Sequence, residues 1–394
     1  MRKKHSITSR LRSARKHGQK PYVAYSIVLA IFLLGIFTIQ ILGTTGFRVT
    51  GFVTEVGAVC QNITIPGEYA LTQNLSSSAT CINITIGNVS LDCAGFAIIG
   101  DHTEDSAAIA LGGSHQNITV VNCLVEKYYD GIDMSGATAV NVTNNTVHNN
   151  SHYGLVFGDV EGTSSIFGNS VYNNTDRGIF VVSNSSYLYH NIIYENAIGI
   201  DLSGTNNSIV YNNTVYDISN WGMYLQYAFN NTFVNNTVYN SGAHGINVFI
   251  GASNNSVINN TIYNSTQIGL LIYYANSTIV QGNNLSFNVQ TGLVTVASSL
   301  NRITYNNINN NTMMGTLFVY YSTYNNVTDN NISGNDGGGV KMSHMSTIGL
   351  NDSNNTFNNF LRNNISYNDA EFAVWIDESN NCSFINNTFM EFDG

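Results

Sequence analysis

The chain has 394 residues, only 10% of them charged, and 24 Asp and Glu against 14 Lys and Arg give a formal net charge of −10. Eight of the basic residues (Arg2, Lys3, Lys4, Arg10, Arg12, Arg15, Lys16 and Lys20) precede residue 43, where no acid occurs; the remainder therefore carries six bases against all 24 acids, a formal −18. That remainder has no basic stripe for phosphates, which excludes a nucleic-acid partner.

The N-terminal elements follow from the same asymmetry. Residues 1–21 form a basic tail, and residues 22–43 are almost wholly apolar. About 20 such residues span a hydrocarbon core of roughly 30 Å as a helix. The basic flank puts the tail in the cytoplasm and everything after residue 43 outside, by the positive-inside rule. A cleaved secretory signal is the alternative. The long basic region, the long apolar run and the lack of an Ala-x-Ala site favour an uncleaved signal-anchor. A linker over 44–59 then leads into an ectodomain over 60–394.

From Gly131 onward one phrase recurs: glycine, an aliphatic residue, any residue, an apolar residue. It reads Gly131-Ile132-Asp133-Met134, Gly154-Leu155-Val156-Phe157, Gly178-Ile179-Phe180-Val181, Gly199-Ile200-Asp201-Leu202 and so on to Gly339-Val340-Lys341-Met342. The ten glycines are spaced by 23, 24, 21, 23, 23, 24, 23, 23 and 24 residues. Such a period marks a solenoid, whose units bury their apolar faces only by stacking on neighbours. A second block in each repeat, as in Asn231 to Tyr239, also alternates apolar and polar residues over four to six positions, a strand period. Three short strands and three turns in about 23 residues make one coil of a single-stranded parallel β-helix of three sheets, with strands about 4.8 Å apart. About twelve coils are expected from Cys81 onward. The fold class is thus all-β, preceded by one transmembrane helix.

Two columns emerge when the repeats are aligned. Asn145, Asn169, Asn191, Asn213, Asn236, Asn260, Asn283, Asn306, Asn330, Asn363 and Asn387 each stand two positions before an apolar residue. Asparagine tolerates the left-handed conformation of a tight bend, and stacked amides can bond to one another as a ladder. The second column is aromatic: Tyr172, Tyr194, Tyr216, Tyr239 and Tyr263, continued by Phe287 and expected to face outward.

These coils, with the opening Cys60-Gln-Asn-Ile-Thr-Ile-Pro66-Gly67-Glu-Tyr69-Ala-Leu71 and Asn88-Val89-Ser90-Leu91-Asp92-Cys93-Ala-Gly95, resemble the right-handed parallel β-helix repeat proteins. They look most like the NosD-type group of the pectin-lyase-like superfamily. The resemblance spans roughly residues 58–394 and implies a fold more than an activity, since the superfamily contains lyases, hydrolases, epimerases, adhesins and binding rods. Cysteines fit an oxidising exterior. Aligning Asn88-Val89 with Asn117-Ile118 sets Cys93 and Cys123 on adjacent coils, within disulfide reach, and Cys60 with Cys81 could close the N-terminal end. Three pairings of these four are open, and Cys382 is left over.

Catalysis on this scaffold needs groups converging on an outer face. The outward position after Gly-aliphatic holds Asp133, Asp201 and Lys341, the candidate catalytic residues. The two carboxylates lie three coils apart, about 14 Å, whereas glycosidase pairs sit roughly 5 to 10 Å apart. Solvated or locally hydrogen-bonded aspartates are the simpler reading. NosD-type proteins are linked to copper-site assembly, and His344 and Met345 lie on a long insertion (roughly Ser343–Ser353), but Met342 takes an inward core position and one such stretch is ordinarily packing and loop. No cofactor is expected.

The tyrosine column (Tyr172, Tyr194, Tyr216, Tyr239, Tyr263) and the outward Phe180 and Tyr224 are the candidate ligand-binding residues, for stacking on sugar rings or, equally, for strand-to-strand stabilisation. Leu271 and Leu317 extend that apolar outward face. Asn-x-Ser/Thr acceptors include Asn62, Asn83, Asn117, Asn144, Asn235, Asn259, Asn276 and Asn354, many of them by-products of the Asn-Asn-Thr consensus. The sequence thus describes a membrane-anchored, glycosylated β-helix on the cell surface that binds carbohydrate or cell-envelope polymer without catalysis, with side-by-side self-association as a further partner mode. A polysaccharide-modifying hydrolase, lyase or epimerase is the alternative, and a NosD-like copper accessory protein the third reading.

Overall fold

In the computed structural model the described residues are 54–56, 59–343, 355–369, 372–377 and 379–390. The expected tail and membrane anchor, and most of the linker, lie outside them. No helix among the described residues is long and apolar enough to cross a membrane.

Every paired strand belongs to one of three parallel sheets, and each strand bonds to its counterparts one coil before and one coil after. We call them the glycine sheet (14 strands, Gln61–Ile63 to Val374–Ile376), the middle sheet (15 strands, Thr54–Val56 to Ser383–Ile385) and the tyrosine sheet (14 strands, Leu75–Ser76 to Thr388–Met390). One coil runs through Trp221–Gln226 in the glycine sheet, Thr232–Val234 in the middle sheet and Thr237–Tyr239 in the tyrosine sheet, then returns at Ile246–Phe249. The described stack holds 14 such coils: 13 from Ile82 onward, where about twelve were expected, and one before them that opens at Gln61.

The period-two pattern becomes packing directly. In a three-residue strand only the central side chain points inward, so Phe233 and Val238 are fully buried while their neighbours are half-buried. Repeated on every coil, these residues form one continuous column of core. Burying each Val or Ile contributes about 1.5–3 kcal/mol, and a coil alone could not bury them. The recurring glycine has a close-approach reason. A Cβ on Gly222 would come within 2.4 Å of Val238 Cγ1 and 2.5 Å of the Gly245 carbonyl oxygen. The main chain therefore re-enters the glycine sheet where there is room for hydrogen alone.

The asparagine column makes the expected ladder but not the expected bend. At the corner between middle and tyrosine sheets the left-handed residue is the one before the ladder asparagine: Asn212, Asn235 and Asn259 have φ of 53°, 56° and 54°, whereas Asn213, Asn236 and Asn260 do not. The first residue turns the chain in solvent and the second aims its amide inward, buried to within 1%. Asn236 Oδ1 accepts the Asn213 backbone N–H (2.9 Å) and Nδ2–H (3.0 Å). Its own Nδ2 donates to Asn260 Oδ1 (3.0 Å) and to the Val210 carbonyl (2.8 Å). The ladder runs unbroken from Asn145 to Asn387, and shorter ladders occupy the other two corners, as at Asn288–Asn311–Asn335–Asn368 and Asn301–Asn325–Asn358.

Both expected disulfides form, Cys60–Cys81 and Cys93–Cys123, each joining neighbouring coils at the N-terminal end, and Cys382 is free. Replacing Asn236 with Ala strands the Asn213 and Val210 partners inside the stack, and should lower unfolding free energy by about 2 kcal/mol or more, given the cost of buried unsatisfied groups. Asn235→Gly at the adjacent left-handed position should leave it nearly unchanged, both read by chemical denaturation.

Candidate functional site

The tyrosine column forms as expected. Tyr172, Tyr194, Tyr216, Tyr239 and Tyr263 stack in succession with centroids 4.6–5.1 Å apart and rings within 10° of parallel, and His148 caps the row at 4.7 Å. Each interior ring has both faces covered by its neighbours, so it offers solvent an edge and a hydroxyl, and no face for a sugar ring. This geometry matches strand-to-strand stabilisation. Desolvation between neighbours pushes the Tyr194, Tyr216 and Tyr239 phenols upward. Phe287 does not continue the column: Ser286 takes the place after Tyr263, and Phe287 falls one residue later, on a left-handed corner, exposed.

The outer face of the glycine sheet is the chemically dense surface. Its outward column runs Asp133, Val156, Phe180, Asp201, Tyr224, Asn247, Leu271, so the two predicted aspartates are three coils apart as expected. Each is held locally: Ser135 N–H and Oγ–H donate to Asp133 Oδ1 (2.9 and 2.5 Å), and Ser203 N–H and Oγ–H donate to Asp201 Oδ1 (2.9 and 2.6 Å). Lys341 sits over the Trp375 ring at 5.3 Å, far along the stack.

Asp201 has a partner that the outward column does not contain. The residue preceding each repeat glycine also reaches this face, and there Arg177 donates from Nε to the fully buried Asp201 Oδ2 at 2.5 Å. From Nη1 it donates to Tyr153 Oη (3.0 Å) and Asp176 Oδ2 (2.6 Å). Its guanidinium lies 5.1 and 5.2 Å from the Tyr153 and Phe180 rings. Burial would lower the guanidinium pKa, but the Asp201 hydrogen bond and charge, with Asp176, outweigh it and raise it. One coil earlier His152 Nδ1 meets Asp130 Oδ1 at 3.0 Å, and the Tyr153 N–H donates to the same oxygen. Desolvation raises the Asp130 carboxyl, opposed by those two partners. Tyr129, His152 and Tyr153 stack in a short row beside it.

On the coils from Trp221 to Val319 this face carries no Asp, Glu, Lys or Arg. Trp221 and Tyr224 stack at 4.5 Å, with Phe249 beyond Tyr224 at 5.8 Å. Against them lie His244, on the coil after Trp221, and Asn247, on the coil after Tyr224. His244 Nδ1 and Asn247 Oδ1 are buried without a hydrogen-bond partner among the described residues. Desolvation lowers the His244 pKa to about 4 and pushes the Tyr224 phenol up to about 12. The apolar outward face is closed rather than open: Tyr224 and Leu271 are buried, and Leu271 joins Val294, Val296 and Val319 in a second apolar cluster packed against Tyr273 and Tyr320.

Sequence reasoning found Asp133, Asp201, Phe180, Tyr224 and Asn247 on this face but missed Arg177, Asp176, Asp130, His152 and His244. A signal was present: in so charge-poor a chain, Asp130 and Asp176-Arg177 stand immediately before a repeat glycine. The remaining candidates are dispersed. Asn62, Asn117, Asn144, Asn235, Asn259 and Asn276 are exposed and Asn83 half-buried, the Asn-Asn-Thr acceptors being the left-handed residue beside a buried ladder amide. Asn354, His344 and Met345 lie outside the described residues. Among those described, no group of three or more His, Cys, Asp or Glu is placed to hold a metal. Four cysteines are in disulfides, and Met134, Met223 and Met342 are core residues.

Two family models match the chain: the right-handed beta helix region over residues 198–357, and the periplasmic copper-binding protein NosD over residues 50–220. No curated protein matches it. Among solved structures, the A-modules of the Azotobacter vinelandii mannuronan C-5 epimerases AlgE6 and AlgE4 align over 82% and 84% of this chain and 89% and 91% of theirs, at 17% and 14% identity and a TM-score of 0.54. The Dettilon tailspike protein aligns over 78% of this chain and 62% of its own at 14% identity and a TM-score of 0.52. At such identities the likeness is one of fold.

The buried pair gives two expected outcomes. Arg177→Leu leaves the Asp201 charge buried and unpaired and should cost about 3–5 kcal/mol, whereas removing both charges should recover most of it, measured by denaturant unfolding. His244 titrates near 4 when folded and near 6.5 when unfolded, so the unfolded chain takes up the proton first as pH falls. Its contribution is therefore full above pH 6.5 and lost towards pH 4, by up to about 3 kcal/mol. His244→Gln should flatten that part of a stability–pH curve.

Proposed function

Because the chain matches the right-handed beta helix and NosD family models and folds as a three-sheet parallel β-helix, we propose that it is a carbohydrate-binding surface protein of the pectin-lyase-like kind. In this reading the N-terminal segment anchors it, the solenoid faces the outside of the cell, and the outer face of the glycine sheet is the binding surface. The observation that carries the reading is two unpartnered buried atoms, His244 Nδ1 and Asn247 Oδ1, on the coil that pairs with the Trp221–Tyr224 strand and also carries Phe249. Few precisely placed polar groups among aromatic walls are the usual make-up of a ligand site. A hydroxyl could donate to the Asn247 oxygen, and a neutral imidazole can give or take a second hydrogen bond.

Charge narrows the ligand. Asp130, Asp133, Asp176 and Asp201 outnumber the single Arg177 on the adjoining coils, so a polyanion meets repulsion and a neutral or amino sugar does not. The N-terminal disulfides support the extracytoplasmic placement, since such bonds persist in oxidising compartments. A glycan and polysaccharide array probed with the full-length protein tests the reading. Neutral polymers should bind with no change in polymer length, and His244→Ala with Asn247→Ala should weaken binding about tenfold or more, from the loss of one or two hydrogen bonds worth about 1 kcal/mol each. No binding to any glycan, or binding indifferent to the two substitutions, would overturn it.

A second reading, polysaccharide modification, is favoured by one observation. The His152–Asp130 pair stands beside the Tyr153 phenol to which Arg177 donates, a set of groups able to move protons. In that case new ends or altered sugars should appear in some polymer and vanish in Tyr153→Phe. An array without product from any polymer removes this reading and leaves binding alone.

A further inference from the structure

At the corner leading from the glycine sheet to the middle sheet, two positions take the left-handed conformation on each coil from Gly204 to Tyr324. Residues suited to it hold some of them: Gly204 and Gly251 at the first position, and Asn207, Asn230 and Asn254 at the second. Bulky residues hold others: Tyr227, Tyr274 and Tyr320 at the first position, and Leu300, Tyr324 and, one coil on, Phe357 at the second, with φ between 46° and 61°. Bulky side chains are rare in this region of backbone space, and asparagine or glycine would relieve the strain without altering the turn. Strain of this kind persists where the side chain is wanted for something else.

Of these side chains only Tyr320 packs on an apolar cluster; the others reach solvent. Tyr227 is 60% exposed, Leu300 62%, Tyr324 54% and Phe357 46%, and Tyr274 and the adjacent Tyr321 are also exposed. The Tyr273–Tyr274 and Tyr320–Tyr321 doublets divide the labour: the first ring packs on the second apolar cluster and the other stands at right angles to it in solvent. Beneath Tyr227 the next coil supplies Gly251, where a Cβ would come within 2.6 Å of the ring. The ring is thus seated on backbone.

The surroundings identify the occupant. From Ile218 to Thr328 the sequence has no Asp or Glu and one basic residue, Arg302. A charged polymer finds no counter-charges along this edge, and anionic lipid headgroups find no row of cations. Exposed amides of Asn230, Asn254 and Asn276 stand between the rings, so apolar faces alternate with hydrogen-bonding groups. An uncharged sugar chain has that alternation of C–H faces and hydroxyls. We infer that the aromatic edge carrying Tyr227, Tyr274 and Tyr321 is a second contact line for an uncharged polysaccharide lying along the solenoid axis, beside the His244–Asn247 site. The inference rests on the carbohydrate reading above and adds the neutral character of the polymer and an edge that reading does not use.

The test is built on asparagine, which keeps the left-handed turn while deleting the ring. The full-length protein and its Tyr227→Asn/Tyr274→Asn/Tyr321→Asn variant are titrated with a soluble neutral β-glucan, a neutral mannan, a polyuronate of matched length and phosphatidylcholine vesicles. The variant should unfold at the same or a higher temperature and bind the neutral polymers at least tenfold more weakly. Tyr274→Asn alone, should the triple variant unfold, is expected to give a several-fold loss. Unchanged affinity for the neutral polymers overturns the edge; if His244→Ala/Asn247→Ala still loses binding in that experiment, the carbohydrate reading stands without it. Wild-type protein that binds vesicles or polyuronate in place of neutral polymers overturns the inference. Binding to no polymer removes the inference and the reading together.

Discussion

Everything in this solenoid depends on one coil being satisfied by the next. The parallel strands leave each backbone group to its neighbour about 4.8 Å away, and the corner amides repeat that arrangement with side chains. Asn236 is typical: it accepts two hydrogen bonds from the coil before and donates to the coils on both sides. Buried polar groups must be paired, so a ladder of this kind also fixes register. A coil slipped by one residue would put the ladder amide into solvent and the left-handed residue into the core.

That constraint frees the outer surfaces. Because inward positions are settled by one aliphatic residue per short strand, outward positions carry little structural duty, and their variation is where chemistry can collect. Two features on them cannot be explained by stacking alone. The Arg177–Asp201 pair buries charge beside aromatic rings, an arrangement that hydrophobic residues of similar size commonly match for stability. Along the neighbouring corner, aromatic residues occupy backbone conformations that asparagine fills elsewhere in the same column. Both depart from local preference, and such departures concentrate where a protein does its work.

The tyrosine column illustrates how one sequence pattern admits two uses, between which geometry discriminates. Its five rings line up as the alignment requires, yet alignment at a spacing of 4.6–5.1 Å is itself what covers their faces. An aromatic ladder in perfect register serves the sheet. Exposed rings without such a parallel stack, Tyr227, Tyr274 and Tyr321, lie out of the strand register, at corners, where the repeat looks irregular in sequence. Phe287 makes the same point from the other side, since it extends the column by eye and leaves it by one residue in space.

The solenoid was legible in the sequence alone: the 23-residue period, the inward aliphatic positions and the ladder each repeat a local rule that stacking merely copies, whereas three cysteine pairings stayed open until the coils were stacked. The sequence also placed Asp133 and Asp201 three coils apart. The tertiary structure decided which neighbours share a face. Arg177 meets Asp201 across 24 residues and His152 meets Asp130 across 22, and no strand period marks these pairs, since they join different columns of different coils. It also decided that adjacent asparagines divide bend from ladder, because only in three dimensions does one point to solvent and the other to the core. Period is a property of the chain, whereas convergence of side chains on an outer face depends on small lateral offsets between coils that the period does not encode.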